Sequence, residues 1–180
     1  MIEYKELPNY VFEKKYDKYL FFYSNSFIGN DILLKNAFHS FLIKTQSDMV
    51  VRLYNSNTKN GPSNEIDLAN YGLISNQNSH DSHFINGITE MPFLFITDKK
   101  GKWSIYTDTI FNLAIFAYDS KLSDLVSFFF INNPEIFKYE NIENYIESNI
   151  FVFKDPKPFK EEFIRNYSNK IYSARSDSQD

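Results

Sequence analysis

The sequence predicts an α+β fold, an antiparallel β-meander packed by several α-helices within one domain over residues 1–180. Three observations carry this. Residues 93–97 and 103–107 are apolar runs around Asp98-Lys99-Lys100-Gly101, a turn whose glycine can take positive φ, so they read as a hairpin. After Asp108-Thr109, residues 112–118 supply a third strand, with the small Ala114 and Ala117 among Leu113, Ile115 and Phe116. Outside this meander, apolar residues recur at helical spacing in several segments, and strands grouped apart from helices are the mark of an α+β architecture.

The remaining elements follow from local pattern. Residues 19–23 form a short aromatic run closed by Ser24, Asn25 and Ser26, which suits a buried strand. Asn30 can cap a helix with Asp31 in its first turn, and Leu34, Phe38, Phe41 and Leu42 share one face up to Lys44. Met49–Tyr54 is rich in β-formers and reads as a further strand. Residues 58–86 are dominated by Asn, Ser, Gly and Asp and read mostly as a long polar loop, with one or two helical turns expected at 65–71.

After the meander, Ser120 can cap a helix with Leu122, Leu125, Val126, Phe129 and Phe130 on one face, although 126–131 has equally the composition of a strand. Asn133-Pro134-Glu135 has the form of a helix start, with Ile142, Tyr145 and Ile146 extending an amphipathic pattern to Asn149. Residues 151–153 fit a last short strand, and Asp155-Pro156-Lys157-Pro158 a rigid corner. Phe159, Phe163, Tyr167 and Ile171 then step by four along a terminal helix, and residues 173–180 read as a frayed tail.

Composition narrows the function classes. A chain of 180 residues buries roughly 70% of its unfolded surface without staples. With 19 Phe and 13 Tyr, its core should be packed largely with rings. The lack of cysteine excludes disulfide and thiolate chemistry. The start, MIEYKELPNY, has Glu3 and Glu6 and no apolar run, and no apolar stretch approaches the ~18 residues of a membrane span, so a cytoplasmic protein without membrane contact is expected. Five glycines and no glycine-rich phosphate loop give no support to a nucleotide cofactor. The acidic balance, with a pI near 5.4, disfavours direct nucleic-acid binding.

Charge is unevenly distributed. Residues 119–155 hold seven acids against three bases while the rest of the chain holds sixteen of each, so the formal net charge of −4 falls entirely in this stretch. Glu140, Glu143 and Glu147 share one helical face there, read either as a solvated face or as a partner surface. With Asp119 and Asp124 they would steer a basic partner, and exposed rings beside them, Tyr139 and Tyr145, are the expected energetic anchors.

No catalytic residue or metal ligand is assigned. The one metal-like motif, His80-Asp81-Ser82-His83, carries two imidazoles and a carboxylate, but its spacing is that of a polar loop rather than a zinc site; a metal-dependent hydrolase using it is the alternative enzyme reading. His39, on the first helix, reads as a packed or partly exposed histidine. Trp103, after the hairpin tip, reads as a core anchor or else as an exposed interface ring. A third reading is a self-associating structural or adaptor domain, with the oligomeric state left open.

Residues 91–129, MPFLFITDKKGKWSIYTDTIFNLAIFAYDSKLSDLVSFF, resemble the centre of small immunity proteins from bacterial contact-dependent inhibition and other polymorphic-toxin systems, where a β-meander with a Trp and a Tyr precedes acidic helices. KELPNY near the start is similar to a second immunity-protein superfamily, whose Asn-Gly-Gly-type signature is missing here. The resemblance implies a non-catalytic protein that neutralises one cognate toxin domain, a basic nuclease for instance, by covering its active or substrate-binding surface.

Overall fold

A computed structural model of the chain describes residues 7, 9–24, 32–47, 49–54, 64–67, 93–108, 110–136, 138–139, 141–148 and 156–168. The fold class is α+β. At its centre lies a six-stranded antiparallel sheet of β1 (Lys18–Phe22), β2 (Met49–Tyr54), β3 (Asn64–Asp67), β4 (Phe93–Asp98), β5 (Trp103–Asp108) and β6 (Leu113–Tyr118), in the order β1-β6-β5-β4-β2-β3. The meander β4-β5-β6 forms the middle, with Ile96 opposite Ile105 and Ile105 opposite Phe116. Gly101, at φ +67°, makes the β4–β5 turn as its missing side chain allows. There the Lys102 N–H donates to Asp98 Oδ2 at 3.0 Å.

Every side chain of β5 and β6 is buried because the sheet is covered on both faces. This accounts for the unbroken apolar run LAIFAY in an antiparallel strand, where alternation would mark a solvated face. Neighbouring residues feed opposite layers, so Phe116 enters one cluster and Ile115 and Ala117 the other.

The first layer holds helix α1 (Ile32–Thr45) and the segment 120–131. Leu34, Phe38, Phe41 and Leu42 of α1 are buried, as their spacing predicts. Trp103 is fully buried against Phe38 and Phe41, and its indole N–H donates to Ser47 Oγ at 3.0 Å, so it is the core anchor and not an interface ring. The expected regular helix after Ser120 is a 3-10 turn (Ser120–Leu122), a four-residue helix α2 (Ser123–Val126) and a π turn (Ser127–Ile131). A strand at 126–131 is thereby excluded. The Ser120 side chain does not cap this segment; the Asp17 carboxylate accepts the Ser120 N–H at 2.8 Å, which holds the Asp17 carboxyl below the usual carboxylate range.

The second layer holds the N-terminal segment, helix α3 (Ile142–Ser148) and helix α4 (Pro156–Tyr167). Its core is a lattice of tyrosines. The Tyr167 hydroxyl accepts the Val11 N–H at 3.0 Å and donates to the Asn9 carbonyl at 2.6 Å. Tyr10 stacks on Tyr167, accepts the Tyr16 N–H and donates to the Lys14 carbonyl, so the irregular segment 9–16 is satisfied by phenols where a regular element would use its own backbone.

Two expected helix boundaries are corrected. Residues 64–67 pair with β2 as β3, where helical turns at 65–71 were expected, because Asn64, Glu65, Ile66 and Asp67 find partners in Leu53, Arg52, Val51 and Val50. The start expected at Asn133-Pro134-Glu135 is only a turn, in which Asn133 Oδ1 accepts the Glu135 N–H at 3.1 Å. Helix α3 begins after Asn141, whose Oδ1 caps the Asn144 N–H at 2.8 Å. The rest of the 58–86 loop, the strand expected at 151–153 and Ile171 lie outside the described residues.

The β5–β6 connection depends on Asp108, which is 1% exposed. Its Oδ1 accepts the N–H groups of Ile110 and Phe111 at 2.9 and 3.1 Å, and its Oδ2 accepts the Tyr106 hydroxyl at 3.1 Å. Asp108→Ala strands two backbone donors and a buried phenol, and is expected to destabilise by about 3 kcal/mol. Urea denaturation measures this; a midpoint within error of wild type would refute the role assigned to the carboxylate.

Candidate surface for a binding partner

The described residues of the segment that carries the net charge, within 119–148, wrap the β1 edge of the sheet. Leu122, Val126, Phe130 and Ile136 pack on the first face, and Tyr139, Ile142, Tyr145 and Ile146 on the second. At the crossing, Tyr139 N–H donates to the Phe21 carbonyl at 2.8 Å and Phe21 N–H to the Tyr139 carbonyl at 3.3 Å, a single bridge on the outer side of β1. Among the described residues, this clasp engages part of an otherwise open strand edge.

The expected acidic residues fall at different points along this path. Asp119 is a third exposed and is paired with Lys14 at 2.9 Å, so its charge is neutralised within the molecule. Lys14 also lies 4.6 Å from the Tyr16 ring centre. Asp124 is exposed on the first face and Glu135 at the crossing, while Glu143 is half-buried and Glu147 exposed on α3 over the second face. Glu140 lies outside the described residues. Asp124 is therefore separated by the sheet from Glu143 and Glu147, and the acids form a belt around an edge where a single helix face was expected. Lys138 donates to the Asn133 and Ile136 carbonyls at 3.0 and 3.4 Å, which draws its ammonium onto the turn.

Tyr139 and Tyr145 are not the exposed anchors the sequence suggested. Tyr139 is 5% exposed and Tyr145 fully buried, their ring centres 5.5 Å apart. The reason is that Tyr139 closes the β1 edge while the Tyr145 hydroxyl donates to the Phe111 carbonyl at 2.6 Å. Burial, and next the charge of Asp108, pushes the Tyr145 phenol above its ordinary value.

Among the described residues of the acidic segment the exposed ring is Phe128, 70% accessible. It stands edge-on to half-buried Phe129 at 5.0 Å, and Phe129 contacts Phe41 of α1 at 6.4 Å. The signal for it lies in the sequence: successive helical residues are turned by roughly 100°, so three consecutive phenylalanines cannot all face one core. With Phe129 and Phe130 assigned inward, Phe128 is the one left outside.

His39 is exposed on α1, and His80, Asp81, Ser82 and His83 lie outside the described residues. Among the described residues no group of three or more His, Asp or Glu side chains is placed to hold a metal, and no helix is long and apolar enough to cross a membrane. Comparison with family models, with curated proteins and with solved structures yields no match to this chain.

Proposed function

We propose that this chain is a non-catalytic immunity or inhibitor protein that binds a cognate toxin domain with a basic surface, covering its active or substrate-binding face. The observation that carries the reading is the acidic belt, because the segment holding the whole net charge is the one wrapped around the β1 edge, with Asp124, Glu135 and Glu147 exposed along it. Such a field accelerates encounter with a cationic partner and disfavours acidic ones. The likeness of residues 91–129 to immunity proteins points the same way. A cytoplasmic site of action belongs to this proposal.

The test expresses the reading frames neighbouring this chain's gene, one of which is expected to encode a toxin domain that arrests growth. Co-expression of the chain is expected to restore growth, and the purified pair to associate about tenfold more slowly when salt is raised from low to physiological strength. Growth arrest that persists together with no complex between the purified proteins would end the reading.

A further inference from the structure

We infer that Asp124 and Phe128 form a receptor for an arginine or lysine side chain of the partner, and that this point is the energetic centre of the docking surface. The inference rests on the inhibitor reading and locates its contact on the first face of the sheet, away from α3.

Asp124 and Phe128 are four residues apart, which places carboxylate and ring on the same side of the helical segment. Both are exposed. A guanidinium laid on the Phe128 ring would meet the ring's negative face and, one turn away, the Asp124 carboxylate, combining cation–π attraction with a charged hydrogen bond. Lys121, also exposed, lies a further turn back, and its like charge repels the cationic head from that side of Asp124, toward the ring.

The ring is held ready. Phe128 rests on Phe129, Phe129 on Phe41, and Phe130 is fully buried against Phe22 and Phe116, so the π turn is pinned from beneath. A ring supported in this way loses little freedom on binding, which suits a hot spot. The π turn is itself the kind of local widening that recurs at functional positions.

The experiment measures binding of the toxin domain encoded beside this chain to the full-length wild type, Phe128→Ala, Asp124→Asn and the double variant, with solution mass recorded for each. Phe128→Ala is expected to weaken binding by about thirtyfold or more, chiefly through faster dissociation. Asp124→Asn should weaken it by about threefold with a reduced salt dependence, and the double variant should lose less than the product of the two. Unchanged thermal melts verify folding, as expected for two exposed positions. If the wild type binds and Phe128→Ala binds equally well, the receptor is refuted while the inhibitor reading stands. If Phe128→Ala instead dissolves a homodimer and leaves toxin binding intact, the surface serves a second copy and the inference is overturned. If the wild type does not bind, both proposals fall together.

Discussion

Raising the pH from about 9 to about 12 is expected to unfold the protein cooperatively, with tyrosine ionisation and loss of secondary structure in one transition. Tyr16, Tyr19, Tyr145 and Tyr167 are each at most 5% exposed, and burial raises all four phenols above their ordinary value. Burial raises half-buried Tyr10 as well, and Tyr118 to about 12. In the unfolded chain a tyrosine loses its proton near 10. Between that point and the folded values the native state binds more protons than the unfolded one, so stability falls as pH rises. The contribution is complete below about 10 and is progressively lost above it. Each phenol kept neutral costs roughly 1.4 kcal/mol per pH unit, so four of them at pH 12 cost roughly 10 kcal/mol, the scale of a domain's whole stability. Tyrosinate absorbance followed together with circular dichroism checks this. Ionisation spread over separate steps from pH 10, with the circular dichroism unchanged, would contradict it.

Phe116→Ala is expected to be the most damaging single substitution in the first layer. Phe116 is fully buried at the middle of β6, with the rings of Phe38, Phe41, Trp103, Tyr118 and Phe130 centred 5.4 to 6.5 Å away. Those rings belong to α1, β5, β6 and the π turn, so the cavity cannot close by shifting one element alone. Removing a buried phenyl typically costs about 3–5 kcal/mol, near the upper end where collapse is hindered, which corresponds to a melting point lower by about 10 °C or more. Phe116→Leu should cost less than half as much. Equal losses for the two substitutions, or a shift of only about 2 °C for Ala, would show that the rings do not converge on this position.

Much of the fold is written in short-range pattern. The meander follows from turn chemistry at Asp98 to Gly101, and α1 and α4 from apolar spacing, with Leu34, Phe38, Phe41, Leu42, Phe163 and Tyr167 all buried as that spacing demands. What escaped the pattern depends on distant partners. Residues 64–67 become a strand only because β2 offers an edge, and α3 is shortened because Tyr139 is drawn into a bridge with Phe21, more than a hundred residues earlier. The candidate surface was half legible. The acids of 119–155 are plain in composition, but nothing local tells that Asp119 meets Lys14, or that Tyr139 and Tyr145 turn inward while Phe128 turns out.

The Phe21–Tyr139 clasp has a consequence for how this molecule can change over generations. It is made by main-chain N–H and C=O groups, which every residue except proline can supply in full. The outward positions of the segment it fastens, among them Asp124, Phe128, Glu135 and Glu147, are therefore open to replacement without reworking the sheet. A lineage under pressure to change this surface could rewrite those positions one at a time on a frame that stays the same.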